Sequence, residues 1–301
     1  MSVDLAAPTR ATQARADVAR VAATSTCTPA AQGHVPTSDV DAWFDTAAVL
    51  GRRGYRHLPA VARLVLAAGR SALAALPEGV LDAVEPVRRT AWVATSAAAA
   101  DVHAPMDRVV RDEGAELLSP LGAPYFSLNL AGGRLSTELV AHGGVTTFTT
   151  PGTGGLDALA AALTAVRRGA TDLALVVAAE TAPPPGEPDH GVTATGAAAL
   201  VLTRAAGDGP AVRVTRTRWR TGGAAAAIAH LRGDAPDVHL VLGADPARDL
   251  DAALVERAVV APGAGVLAAF AAVVDACERG AGAVVALTDD GGAVGAHVAS
   301  P

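Results

Sequence analysis

Short runs of β-branched and apolar residues alternate with longer stretches in which apolar side chains recur at every third or fourth position. This two-period pattern runs through the chain from residue 18 onward. The runs Val18–Thr24, Thr90–Thr95, Val145–Thr150, Asp172–Ala178 and Ala197–Thr203 predict strands. The last two are almost wholly apolar, as strands covered on both faces are. Helical spacing marks 59–76 (Val61, Leu64, Val65, Ala68, Leu73), 105–117, 127–140 and 156–166, the last stopped by Gly169. The second half repeats the theme in shorter form. It has strands at Ala211–Trp219, Val238–Leu242, Val255–Val260, Val284–Thr288 and Val294–Ala299, and helices at Gly223–Leu231 and Gly265–Glu278. Alternation of this kind predicts an α/β fold with a mainly parallel sheet covered on both faces. The two similar halves predict an internal duplication, divided as 18–205 and 206–301 behind a tail at 1–17.

Composition narrows the classes. Half of the residues are hydrophobic, with alanine the commonest of them, and aromatics are 3%. The net charge is -6 and no basic block appears, which argues against nucleic acid as a partner. No apolar run approaches the ~20 residues of a membrane span, and the N-terminus does not read as a signal peptide, so a cytoplasmic setting is expected. The two cysteines, Cys27 and Cys277, make no disulfide framework or metal motif. All 24 basic residues are arginines. That excludes Schiff-base, P-loop and kinase chemistry, each of which needs a lysine.

Three features could carry chemistry. Gly263-Ala264-Gly265-Val266-Leu267-Ala268 follows a strand and opens a helix, with Asp289 and Asp290 downstream. That arrangement fits a dinucleotide fingerprint, but close helix–strand packing through small residues explains it more simply. The eight histidines are scattered without ligand spacing, and His190 beside Asp189 lies in a proline-rich loop. The third feature is TTPGTGGLDAL, residues 149–159. A β-branched strand turns there into a helix whose first turn carries glycines. The free N–H groups of such a turn can hold an oxyanion or a phosphate.

The order of motifs around that turn resembles the β-ketoacyl synthases. VTTFTTPGTGGLDALAAALTAVRRGATDLALVVAAE, followed by ATGAAALVL, resembles the strand, nucleophile turn, helix and paired strands of that family. Upstream, VAATSTCTPAA, RGYRHLPAVARLVLAAGRSAL and SLNLAGGRLSTELVAHGG resemble its first strand, first long helix and Asn-x-x-Ala-Gly helix. The resemblance covers residues 18–204 well and the rest loosely. It implies a duplicated thiolase-like fold with αβαβα layers, shortened and with trimmed cap loops.

Carried over position by position, the family's nucleophilic cysteine falls on Gly152. Its two histidines fall on Leu242 and near Val259, and its lysine has no counterpart. The chemistry of acyl transfer is therefore absent from those positions. The phrase TGGLDAL is most similar to chain-length factors, the inactive partners of ketosynthases in type II polyketide synthases. The resemblance implies a non-catalytic subunit that needs no cofactor. Its partners would be a catalytic ketosynthase, as a heterodimer, and an acyl carrier protein bearing a polyketide or polyene. Val145, Thr146, Thr147, Phe148 and Thr149 would then lie at the dimer interface, with Phe148 as anchor. Tyr125, Phe126 and Asn129 would line or block the tunnel. The alternative is a repurposed acyltransferase or hydrolase using Thr153, Cys27 or a histidine pair, with oxyanion-binding N–H groups at Gly154 and Gly155.

Overall fold

The computed structural model describes residues 19–34, 39–96, 100–182, 195–204, 208–235, 238–256, 258–260 and 266–300. The tail at 1–17, the Asp189–His190 loop and Gly263–Gly265 lie outside the described residues. The first half carries strands β1 (Arg20–Cys27), β2 (Arg89–Ala94), β3 (Val145–Phe148), β4 (Leu173–Glu180) and β5 (Gly196–Thr203). Between them run helices α1 (Thr46–Leu50), α2 (Ala60–Ala74), α3 (Ala100–Asp112), α4 (Leu130–Leu139) and α5 (Gly154–Arg167). The second half carries β6 (Ala211–Arg218), β7 (Val238–Leu242), β8 (Ala258–Val260), β9 (Gly282–Leu287) and β10 (Gly292–Ala299). Its helices are α6 (Ala224–Arg232), α7 (Ala244–Arg248), α8 (Ala252–Val255) and α9 (Leu267–Arg279).

The ten strands follow the order β3-β2-β4-β5-β1-β6-β10-β9-β7-β8. Numbered within its own half, each set of five has the same order, third-second-fourth-fifth-first. The directions match too. The β2–β3 and β2–β4 pairs are parallel, as are β7–β8 and β7–β9, while the fourth–fifth and fifth–first pairs are antiparallel. The expected duplication is thus present in the topology. The mainly parallel sheet is not: it is mixed. In the second half the cause is the connection, because β9 reaches β10 through the turn Thr288–Gly291, far too short for the crossover a parallel pair needs. Within the sheet, the described residues of the two halves pair at Arg20 with Ala211, extended by the Val21 N–H donating to the Pro210 carbonyl at 3.0 Å.

Strand alternation sorts the core into three clusters and five layers. Leu175, Val177, Ala199 and Val201 face α2 and α4 on the outside of the first half. Val176, Leu200, Val284, Ala286 and Val294 face α5 and α9, which fill the middle layer. Leu240, Leu242, Val285 and Leu287 face α6 on the outside of the second half. The sequence is αβαβα. The middle layer is tight because of two glycines. A Cβ at Gly154 would lie 2.7 Å from Val266 Cγ1, and one at Gly155 would lie 2.5 Å from the Val266 carbonyl oxygen and 2.7 Å from Phe270 Cβ.

Two element assignments change. The expected strand Val255–Val260 is instead a helical turn, Ala252–Val255, followed by the short strand Ala258–Val260. The expected helix 105–117 starts earlier, at Ala100, takes Pro105 inside it and ends at Asp112. Asp101, in the first turn of that helix, accepts from the Ala60 N–H at 3.0 Å and so ties it to the start of α2.

Because the first turn of α9 has no room to retreat, Gly155→Ala is expected to destabilise the fold by ~1–3 kcal/mol through overpacking. Ala158→Gly, in the same helix, is expected to cost ~1 kcal/mol by propensity and a small void. Urea unfolding followed by far-UV circular dichroism checks the order; a Gly155→Ala protein as stable as the parent would remove the close contact from the account.

Candidate functional site

Strand β3 delivers the turn to the C-terminal edge of the first sheet. After Phe148 the chain passes through Thr149, Thr150 and Pro151 to Gly152, whose φ of +70° is left-handed. Side chains other than glycine pay a steric cost there. The Thr153 N–H donates to the Pro151 carbonyl at 2.7 Å and the Gly154 N–H to the Thr150 carbonyl at 2.9 Å. The sharp turn that the sequence implied is therefore present, and Gly152 sits buried at its apex. The oxyanion role expected of Gly154 and Gly155 is weakened by the same geometry. The Gly154 N–H is spent within the turn, and Gly155 is covered by Val266 and Phe270.

The polar groups around the turn were not legible in the sequence. Thr153, buried, donates its hydroxyl to Asp157 Oδ2 at 3.1 Å, and the other oxygen of Asp157 is 2.7 Å from Arg216 of β6. Glu180, fully buried at the end of β4, accepts from Ser96 Oγ at 2.8 Å and from the Val266 N–H at 3.0 Å. The Thr95 hydroxyl, fully buried just after β2, has no hydrogen-bond partner among the described residues. Both carboxylates bridge the two halves beside the turn, Asp157 toward β6 and Glu180 toward the start of α9. Their contacts across the halves join residues far apart in sequence, Asp157 with Arg216 and Glu180 with Val266, so no local motif announces them.

The remaining expected positions scatter. Leu242 is fully buried at the end of β7, but it packs outward with Leu240 and Leu287; its neighbour Val241 is the residue turned to the middle layer. The period of two in a strand thus points the Leu242 side chain away from the layer that holds the Gly152 turn. Val259 pairs with Val241 on the outermost strand β8. Phe148, expected as an interface anchor, leans on Trp92 with ring centroids 6.2 Å apart and packs against the central core. Tyr125 packs into the outer core of the first half, whereas Phe126 is exposed and its carbonyl is 2.8 Å from His103 Nε2. Asn129 accepts from Thr147 Oγ1 at 2.6 Å, which joins the start of α4 to the edge strand.

Other candidate chemistry resolves into structure. Asp289 accepts from the Asp245 N–H at 2.7 Å. Asp290 accepts from the Thr288 hydroxyl and the Gly292 N–H, bonds that hold its carboxyl below the usual range. Both aspartates thereby pin the loops around the β9–β10 turn, beside a cleft of about 580 Å³ that Trp219, Arg220 and Arg248 also line. Among the described residues no group of His, Cys, Asp and Glu is arranged to hold a metal. Burial pushes the Cys27 thiol up to about 11 and the Cys277 thiol up to about 12, so both are protonated at neutral pH and poor nucleophiles.

Two outcomes follow. Glu180→Ala strips hydrogen bonds from Ser96 and from the first turn of α9, and is expected to cost ~2–3 kcal/mol, with Glu180→Gln costing less; chemical denaturation of the three proteins checks the ranking. Native protein at pH 7.5 is expected to resist iodoacetamide at both cysteines and to react in guanidinium. Rapid native labelling of Cys27, read by mass spectrometry, would restore it as a candidate nucleophile.

The geometry agrees with the comparisons. A family model described as "Beta-ketoacyl synthase, N-terminal domain" matches residues 9–206. Among solved structures, "The ishigamide ketosynthase/chain length factor" superposes with a TM-score of 0.70 at 19% identity, covering 94% of this chain and 99% of that one. A chain of "AntDE:AntF (apo): type II PKS acyl-carrier protein in complex with its ketosynthase bound to the hexaketide" gives 0.68 at 14% identity, with the same 94% and 99% coverage. A β-ketoacyl synthase from Burkholderia phymatum STM815 gives 0.63 at 11% identity and again 94% and 99% coverage. No curated protein sequence matches this chain. With two thirds of its length under the family model and five layers in the matching topology, the chain belongs to the β-ketoacyl synthase family.

Proposed function

We propose that this chain is a non-catalytic, chain-length-factor-like subunit, built from halves at 18–205 and 206–301, that pairs with a catalytic ketosynthase. The pair would elongate a polyketide or polyene tethered to an acyl carrier protein. The observation that carries the reading is the turn at Gly152. It has a left-handed apex and a helix behind it but presents no nucleophile, and the hydroxyl of the next residue, Thr153, is buried and committed to Asp157. Two similar structures, a ketosynthase/chain length factor and a ketosynthase with its acyl-carrier protein, support the assignment of partners.

A partner surface of the right kind lies beside the turn. Strand β3 is one end of the ten-stranded order, so one of its edges is open. The carbonyls of Gly144 and Phe148 are taken by Ala91 and Thr95 on the β2 side. Alternation leaves the backbone groups of Val145 and Thr147 on the open edge. Exposed apolar side chains cluster in the neighbouring excursion: Leu117 at 60%, Leu121 at 81%, Phe126 at 46% and Leu128 at 50%. Phe126 and Leu128 lie just before Asn129, which is bonded to Thr147. Burying four such side chains contributes ~6–12 kcal/mol, the scale of the ~4–15 kcal/mol that association costs. Phe126 and Leu128 therefore replace Phe148 as the anchors. No helix among the described residues is long and apolar enough to cross a membrane.

Co-expression with a ketosynthase is expected to give a one-to-one complex on size exclusion. Thr147→Pro removes an edge N–H while sparing the β2 ladder, and is expected to weaken that complex at least tenfold with the fold intact. A soluble monomer indifferent to ketosynthases, or a Thr147→Pro chain that pairs as well as the parent, would overturn the reading.

A further inference from the structure

Val140 is held in a conformation that its own side chain makes costly. Its φ of +51° and ψ of +48° are left-handed, and among the described residues no other non-glycine residue has a positive φ. A β-branched residue is a steric outlier there, because its Cβ crowds the backbone. The backbone conformation itself has a purpose, since it ends α4. The Val140 N–H donates to the Ser136 and Thr137 carbonyls, and the Ala141 N–H donates to the Ser136 carbonyl at 2.8 Å. Glycine closes a helix in the same way without the crowding. The cap therefore explains the turn but not the valine. Packing does not explain it either: Val140 is 48% exposed and belongs to none of the three core clusters. Strain of this kind marks positions where a contact made in function offsets it.

The contact available is the open sheet edge that starts two residues later. The His142 N–H donates to the Pro86 carbonyl at 2.8 Å and the Gly143 N–H to the Arg89 carbonyl at 3.0 Å, and the Gly144 carbonyl accepts from the Ala91 N–H at 3.1 Å. These bonds carry the edge three residues beyond β3, so that it runs from His142 to Phe148. His142, Gly143 and Gly144 are exposed, and a Cβ at Gly144 would meet nothing within 4 Å. The stretch HGGVTTF holds no acid, arginine or proline, the residues that usually guard a free edge. An unguarded edge of this length suits the backbone of another protein better than a small molecule. Phe126 and Leu128 adjoin its C-terminal part through the bond from Thr147 to Asn129. Val140 stands at its other end.

We infer that Val140 is a further anchor for the catalytic ketosynthase, at the N-terminal end of the extended edge. The role rests on the pairing proposed above. The free chain bears the strain of the valine, and the partner buries the side chain that causes it. Continuity with the edge assigned to the ketosynthase selects that partner, because a strand laid along His142–Phe148 must pass Val140 at one end and the Phe126 region at the other. Val140 thus lowers the stability of the lone subunit and raises that of the pair.

Val140→Gly tests this, since it removes the strain and the side chain together. Urea unfolding of the free chain is expected to show a higher midpoint for Val140→Gly than for the parent. Calorimetric titration with the ketosynthase is expected to show binding ~tenfold weaker or worse, the scale that burial of one valine supplies. Val49→Ala, at a valine 44% exposed on α1, is expected to leave the affinity unchanged. If the parent pairs and Val140→Gly pairs as tightly, the anchor role is overturned while the pairing stands. A Val140→Gly midpoint no higher than the parent's, or equal weakening by Val49→Ala, also overturns it. If Val140→Gly disperses a homodimer of this chain and leaves the ketosynthase complex unaltered, a second copy covers the site instead and the assignment fails. A parent chain that binds no ketosynthase overturns the pairing and the anchor together.

Discussion

At Gly155 the backbone of α5 passes so close to the first turn of α9 that only a hydrogen atom fits between them. That contact sets the thickness of the middle layer, and the middle layer sets the rest. Each five-stranded set has one face on α5 and α9, and the sets share only one ladder pair of their own. The halves are therefore held by helix packing more than by the sheet. Burial of Leu156, Leu159, Leu163, Phe270 and Val273 supplies the dominant favourable term for that packing. Glu180 and Asp157 add direction. One fixes the start of α9 against the end of β4, and the other ties α5 to β6.

The same contact explains why the turn at Gly152 keeps its shape without a reacting group. Its geometry is over-determined by neighbours: the Thr150 and Pro151 carbonyls take the N–H groups of the turn, the Thr153 hydroxyl is tied to Asp157, and α9 closes over Gly154 and Gly155. Such a turn persists because the fold needs it as the entry to α5. In this chain its architectural role is complete without any chemistry at the apex.

Most of the element order was legible in the sequence because the period of the apolar pattern switches sharply between two and about 3.6. Val238–Leu242 and the helix after Gly154 are cases where period, turn residues and burial agree. Legibility failed where those signals conflict. Val255–Val260 is β-branched at both ends, yet its first residue closes a helical turn, because tertiary context overrides so short a run. Strand direction was hidden as well: β4 and β5, buried on both faces, read as parallel strands but pair antiparallel. At the candidate site, the turn announced itself through its glycines. The carboxylates did not: Glu180 and the Val266 N–H it holds are 86 residues apart, and no local spacing encodes such a partnership. The face on which Leu242 lies was equally hidden: it packs outward with Leu240 and Leu287, and only the three-dimensional order of layers reveals that.

The place of β1 has a consequence for synthesis. It precedes the other described strands, yet among the described residues it pairs with β5 and β6. From Cys27 to Gly196 lie ~170 residues, so at ~5–20 residues per second a nascent chain holds β1 unpaired for ~10–30 s before β5 emerges. Meanwhile β2, β3 and β4, a parallel set joined by α5, can already assemble. Translation thus delivers β1 long before the strand it pairs with, which leaves the yield of this chain sensitive to how fast it is translated.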